Sequence, residues 1–462
     1  MIRRPITAGM LALVVVACAP GGTVLPSSTT STSSTTTAPP PPPIVLEVQP
    51  CPSAPPVTWQ PLCRGFAIVD RWYVDPVDPP SLAAAAALGV AQAPMPEFRS
   101  AGRSARCLLP HESFVSVCDA IAARLRPGED PSSYVDAAVD GMFVYGLDPF
   151  SWYLPAELAA QLGSGEAGAV VSMGMVVAAV DERGEPCSPI GGMCVLEVIG
   201  VWPAGPAEQA ALVVGDELAA IDGRGLAGTS VPEATALLEG DRGEPAVLTV
   251  VRDGSRSHRT VMRNPVAPAA VEYGVLAGEI IYLKINEFTL EAAQAVGEVL
   301  QAEGGPTEAR GVLLDLRDNP GGLVGSAVGV ASQFLSGGEV VRQEDRTGVT
   351  ALPVVEGGLA IDPGVQVVVI VNRASSSAAE IVAAVLQERG RATVVGERTF
   401  GKHLVQQTYE LGDDAEIRLT VARWTTPGGR SVAGTGVAPD VTVSPIGDGD
   451  AALDEALRRL RE

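Results

Sequence analysis

Two lysines stand against thirty arginines in this chain of 462 residues. One of them, Lys402, lies in the run GERTFGKHLVQQ, twenty-five residues after the last serine of NRASSSAAEI. Arginine keeps its proton at any working pH and cannot act as a base, whereas a buried lysine can lose its own. A serine hydroxyl and one neutral amine suffice for acyl transfer: the oxygen attacks a carbonyl and the amine takes its proton. An arginine-rich genome would also leave few lysines, so the count alone does not decide.

The flanking patterns say how these groups would be held. VQVVVIVN reads as a buried strand and SAAEIVAAVLQERG as a helix, so the serines fall at a strand-to-helix turn. There the free amides of the first helical turn and the helix dipole favour a developing oxyanion. A serine is also an ordinary helix N-cap. A second glycine turn, LRDNPGGLV, follows the strand GVLLDL, and Pro320-Gly321-Gly322 could bring a backbone amide to the same edge. Lys402 follows the strand ATVVGE and a glycine turn. The three histidines supply a Ser-His-Asp triad poorly: His111 and His258 lie far away in sequence, and His403 adjoins Lys402, where extended neighbours point opposite ways.

Several segments must surround this site. At roughly 150 residues per domain the length suggests about three units. Apolar residues make up 46% and aromatics only 4%, so the cores are built from Val, Leu, Ala and Ile. The formal net charge of −22 argues against nucleic acid, which needs basic patches. Arg3 and Arg4 precede an apolar stretch too short to span a membrane, and Val15-Val16-Ala17-Cys18 closes it. Residues 1–18 therefore read as a lipoprotein signal with lipid on Cys18, ordinary secretion being the alternative, and 19–49 as a Ser/Thr/Pro tether. Residues 50–164 read as mostly helical. Residues 165–263 carry short strands with two short helices, which suggests a small partly open barrel. Residues 268–448 alternate strand and helix as an α/β unit, and 449–462 form an amphipathic helix. Lys284, in IIYLKI, is expected at an edge or surface position. The other six cysteines fall into near neighbours, Cys51 with Cys63, Cys107 with Cys118, and Cys187 with Cys194, for which local disulfides are the simplest pairing. Disulfides suit an oxidising exterior. No zinc pattern occurs, and neither metal nor organic cofactor is expected.

At this point the sequence resembles a family. NRASSSAAEI, RATVVGERTFGKHLVQQ, LDLRDNPGGLV and TTPGGRSVAGTGVAPDV look like the motifs of the carboxyl-terminal processing, or tail-specific, proteases, and LDPFSWYLP resembles their N-terminal signature. The motifs occur in family order over about residues 130 to 445. The resemblance implies exported serine endopeptidases with a Ser-Lys pair, a PDZ domain and a crotonase-like ββα core. It places the nucleophile on Ser377, the base on Lys402 and an orienting amide on Gln406. Oxyanion donors would be the backbone amides of Ala378 and of Gly321 or Gly322. The PDZ-like loop, Ser172-Met173-Gly174-Met175, would take a substrate's terminal carboxylate, with Ala234, Leu237 and Leu238 lining an apolar pocket. Those apolar residues could equally be core. Ser376, Ala379, His403 and Ala211 depart from the family pattern, the last standing where glycine is usual.

The expectation is a membrane-anchored endopeptidase, lipid-tethered on the outer face of a bacterial membrane, that cuts proteins or peptides with apolar C-termini. It leaves room for a homo-oligomer. One rival is a non-catalytic envelope PDZ receptor that binds tails without cutting. The other is a protease that uses His403 with an acid.

Overall fold

The computed structural model describes residues 46–462 apart from 94–104, 127–128, 157, 160–169, 203–204, 240–242, 264–268, 277–278, 303–309, 356–357, 360–361, 413 and 445–449. Cys18 and most of the expected tether lie outside the described residues. The tether expectation fails at its end: Leu46–Pro50 is a strand, paired in parallel with Ala105–Leu109. An apolar run that finds a partner strand satisfies its backbone there instead of in water.

Four helices, Gln60–Trp72, Pro79–Gln92, Val115–Ala122 and Ser132–Gly146, form the first layer. Disulfides Cys51–Cys63 and Cys107–Cys118 pin that strand pair to them. Phe66, Leu82, Phe114, Ile121 and Phe143 make their shared core, and Leu411, Ile417 and Leu419 from a distant sheet complete it. Helices Pro79–Gln92 and Ser132–Gly146 touch backbone to backbone. A Cβ on Gly89 would lie 2.1 Å from the Ala137 carbonyl oxygen, and one on Gly141 would lie 2.5 Å from the Gly89 Cα.

The second part is β-rich. Its strands follow the order Ser255–Met262, Pro245–Arg252, Glu217–Ile221, Val195–Val201, Met175–Val180, Val170–Ser172, with Arg224–Gly225 beside Glu217–Ile221. Helices Pro206–Gln209 and Val231–Leu238 complete it, the latter capped reciprocally by Ser230 and Glu233. The stretch AVVSMGMVVAAV, which reads as one strand, is a hairpin turned at Met173 and Gly174, both with positive φ. Cys187 and Cys194 are bonded within this part. Ala211 adopts φ 58°, the left-handed region that suits the glycine usual there.

The third part holds Ser377 and Lys402. Strands Ile280–Ile285, Gly311–Asp315, Gln366–Val371, Thr393–Gly396 and Val441–Thr442 run parallel, with Val271–Leu276 antiparallel at one edge. Both faces are covered. Leu283, Leu314 and Val369 face helices Ala292–Ala302, Val324–Ser332 and Ala378–Glu388, while Ile280, Leu313 and Ile370 face Ala451–Arg459. Burial on two sides is why these strands read as unbroken apolar runs. Lys284 corrects the edge expectation: its strand is paired on both sides, and the half-buried side chain lines a cavity with Arg317, Asp318 and Asn372.

A second, antiparallel sheet was not anticipated. It orders Gly348–Pro353, Glu339–Asp345, Ala415–Thr425 and Leu404–Gly412, and Trp152–Leu154 from the helical part pairs with Ala415–Thr425. The first layer thereby lends a strand to the sheet that carries Gln406.

Two glycine positions give opposite tests. Alanine normally stabilises a helix by about 1 kcal/mol over glycine. At Gly89 rigid backbone blocks the methyl, so Gly89→Ala should destabilise by about 2 kcal/mol or more. Gly325→Ala, with open space around it, should not. Urea unfolding of both variants checks the contrast. Ala211→Gly should stabilise by about 1 kcal/mol by relieving the left-handed backbone, read the same way.

Candidate active site

The strand Gln366–Val371 delivers the serine cluster and the helix Ala378–Glu388 receives it. The three serines have different fates. Ser375 is fully buried; its hydroxyl donates to the Leu316 carbonyl at 2.7 Å and accepts from the Asn372 N–H at 3.0 Å. Ser376 is buried, and its N–H donates to the Asn319 carbonyl at 2.9 Å. Ser377 alone is partly open to solvent. Its φ of 52° and ψ of −113° form a strained elbow, a conformation that pushes a side chain outward from the turn.

Glu380, one turn into the helix, is fully buried. Its Oε2 accepts from the N–H of Ser377 at 2.9 Å and of Lys402 at 2.8 Å. Its Oε1 accepts from the N–H of Gly401 at 2.7 Å and from the Thr399 hydroxyl at 2.5 Å. One carboxylate oxygen therefore binds the backbones of both candidate reacting residues, and the two amides cannot be farther apart than those two bonds allow. Burial pushes this carboxyl up to about 7, while its four hydrogen bonds pull the other way. The Ser-x-x-Glu spacing was the available signal for this residue, as a capping box.

Lys402 is 4% exposed. Burial lowers its amine to about 7; Arg418 acts in the same direction, and Asp148 and Glu380 oppose it. Its Nζ lies 4.8 Å from the centre of the Phe150 ring. The Trp424 indole donates to its carbonyl at 3.0 Å. Among the described residues no hydrogen bond joins Nζ to the Ser377 hydroxyl. Catalytic hydrogen bonds often tighten only with substrate in place. His403 does not expose its neighbour, and burial, then Arg423, holds its own imidazole below the usual range.

The glycine turn closes on the serine. A Cβ on Gly321, at φ 113°, would lie 2.8 Å from the Ser377 Cβ and 3.2 Å from the Ala378 nitrogen, so only glycine fits. The Gly321 N–H donates to Asn319 Oδ1 at 2.8 Å, and Asn319 Nδ2 donates to the Ile285 carbonyl at 2.7 Å. The amide of Ala378 opens a helix and has no partner within it. Gly322, at φ 128°, packs against the Phe288 backbone. Asp318 and Asn372 exchange two hydrogen bonds and tie this turn to the serine loop.

The remaining expectations fare differently. Gln406 donates to Thr420 Oγ1 at 3.3 Å, which in turn donates to Asp148. Ala234 and Leu238 are fully buried, and Met173 and Met175 join them in the core of the β-rich part. These four side chains line no open groove in this conformation; Leu237 is only half-buried. Ser172 ends a strand beside that turn. Between the β-rich part and the serine loop lies an apolar cleft of about 20 Å³, lined by Phe150, Val177, Ile199, Val231, Ser376 and Phe400. That volume holds about one water. Arg373 and Glu197 bridge the two sides at 3.2 Å.

Residues 279–443 match the peptidase family S41. Over 321 residues the chain is 33% identical to the carboxy-terminal-processing protease of Bartonella bacilliformis, covering 68% of this chain and 70% of that one. The chain belongs to the carboxy-terminal-processing proteases of family S41. It is also 31% identical over 317 residues to the chloroplastic C-terminal processing peptidase of Tetradesmus obliquus, covering 64% of this chain and 65% of that one. In fold it is similar to the photosystem II D1 C-terminal processing protease, with a TM-score of 0.65, 24% identity, and coverage of 88% of this chain and 98% of that chain. Membership makes this S41 chain a serine-type peptidase with a mixed α/β, multidomain fold.

Glu380→Gln tests the clamp in this S41 site. A glutamine NH2 in place of Oε2 would face the N–H groups of Ser377 and Lys402, and in place of Oε1 the Gly401 N–H and the Thr399 hydroxyl. Activity should fall about 100-fold through misplacement of the reacting groups. Stability should fall by about 2 kcal/mol, seen by thermal unfolding.

Proposed function

We propose that this protease cuts peptide bonds by a Ser-Lys acyl-enzyme mechanism, with Ser377 as nucleophile and neutral Lys402 as base. The observation that carries the reading is the shared Glu380 oxygen, which binds the amides of a solvent-reachable serine elbow and of a buried, easily deprotonated lysine. Ser377 Oγ attacks the scissile carbonyl as Lys402 takes its proton. The resulting ammonium gives that proton to the leaving amine as the C–N bond breaks. Lys402 then deprotonates water, which attacks the acyl carbon; the proton returns to Ser377 Oγ as the ester opens. The oxyanion would rest on the Ala378 amide and on that of Gly322, or of Gly321 if Asn319 releases it. Gln406 orients the base at one remove, through the hydrogen bond it gives to Thr420 on the neighbouring strand.

In the same reading the part from 165 to 263 is a PDZ-like unit that takes an apolar C-terminal tail, and 268–448 is the crotonase-like protease core. The loop 172–175 would meet the tail by its backbone, because its methionines are in the core. Leu237 remains the candidate for side-chain contact. The apolar cleft between this unit and the serine loop has room for about one water in this conformation, and in this reading the unit moves aside when a polypeptide binds. The chain would be exported and lipid-anchored through Cys18, working on proteins outside the membrane.

The test uses the full chain on an unstructured polypeptide with an apolar or a charged C-terminus. The parent should cut, and cut the apolar-tailed form faster; Ser377→Ala and Lys402→Arg should not cut. An active Lys402→Arg would remove the base assignment, since arginine cannot take a proton. Tail binding without cutting or labelling by a serine-reactive fluorophosphonate would favour a receptor. For the parent, kcat should rise with pH and reach half its plateau near 7, because only the neutral amine is a base.

A further inference from the structure

Asp148, in the LDPFSWYLP segment, lies at the junction of the helical part and the antiparallel sheet. Its Oδ1 accepts from the Phe150 N–H at 2.9 Å and from the Thr420 hydroxyl at 3.1 Å, and its Oδ2 accepts from the Ser151 hydroxyl at 2.7 Å. The Ser151 oxygen accepts in turn from the Thr420 N–H at 3.0 Å. Thr420 is fully buried and Ser151 nearly so. The Thr420 oxygen also accepts from Gln406. Tyr73, from the first helical layer, faces the same carboxylate; burial first and Asp148 second raise its phenol above the usual range.

These bonds set the loop that carries Phe150, the ring against which Lys402 Nζ rests. We propose that Asp148 is the positioning residue of Lys402, holding the Phe150 ring under the amine and coupling Gln406 to that loop through Thr420. The inference rests on the Ser377–Lys402 reading. Nothing in the reaction requires Asp148 to touch substrate; it acts through the base.

The charges around the pair fix the sign of the test. Lys402 is faced by Arg418, Asp148 and Glu380. Asp148 is faced by Tyr73, Lys402 and His403, with Arg423 behind the last. Asp148 favours the ammonium form of Lys402, so removing its charge should make the amine easier to deprotonate. Scaffolding alone would not move that titration.

The experiment measures kcat and KM against pH for full-chain parent, Asp148→Asn and Lys402→Ala on the unstructured apolar-tailed polypeptide, with the rate of fluorophosphonate labelling at Ser377. Asp148→Asn should lower kcat about 100-fold by misplacing the base, leave KM little changed and move the acid limb to lower pH. Labelling should slow in parallel. A parent-like kcat, or a reduced kcat with the acid limb unmoved, overturns the proposal. Should Asp148→Asn not fold, Thr420→Val and Thr420→Ser decide: the valine should lose kcat and the serine keep it, and equal rates overturn the proposal. An active Lys402→Ala would instead overturn the Ser-Lys reading itself.

Discussion

A single buried carboxylate organises the catalytic half of this molecule. Burying a charge without partners is prohibitive, and Glu380 is tolerable because four donors converge on it. Those donors come from the serine elbow and from the 399–402 segment, two stretches that the Phe400 N–H also joins by donating to the Ser375 carbonyl at 3.0 Å. The strain at Ser377 also needs a neighbour that over-determines it. Glu380 supplies that through the Ser377 amide, and Gly321 supplies it by contact from the other side. Even Thr399 is recruited twice, since its oxygen accepts from the Val437 amide and so draws in the GTGVAPD segment.

The lysine depends on a different set of supports. Its low exposure comes from packing, and packing here crosses the chain's whole length. Trp424 holds its carbonyl, Phe150 covers its amine, and Asp148 secures Phe150. Phe150 comes from the segment that leaves the helical layer and pairs with Ala415–Thr425. The two disulfides and the glycine contact between helices therefore stabilise elements that, at one remove, frame Lys402. A core defect at Gly89 and a lost hydrogen bond at Thr420 would differ in size but reach the same side chain.

Much of this was legible in the sequence. The parallel strands showed as apolar runs because both their faces are buried, and the serine elbow showed as the junction of such a run with a helix. The disulfide pairs followed from proximity along the chain. Ser377 and Lys402 were read from motif order, and the structure adds why Ser375 and Ser376 are poor choices: both are buried, and Ser375's hydroxyl is spent on the backbone. The antiparallel sheet escaped notice because Leu404–Gly412 mixes polar residues on both faces, although Ala415–Thr425 alternates clearly. Asp148 escaped because Thr420, the partner that ties it to the antiparallel sheet, lies 272 residues away, and no local pattern encodes a long-range hydrogen bond. Ala234 and Leu238 lie in the core in this conformation, and helical apolar spacing cannot tell a ligand pocket from a core.

The narrow cleft between Phe150 and Ile199 has a further consequence for kinetics. If only an opened form admits polypeptide, the measured rate is chemistry multiplied by the fraction of molecules that are open. A tail that binds open and closed forms equally would leave that fraction unchanged, however tightly it held. Two substrates with identical tails and different cut sites would then share one opening factor and differ only in the chemical step. Weakening the Arg373–Glu197 bridge would speed both by the same multiple, a common gain blind to the sequence being cut.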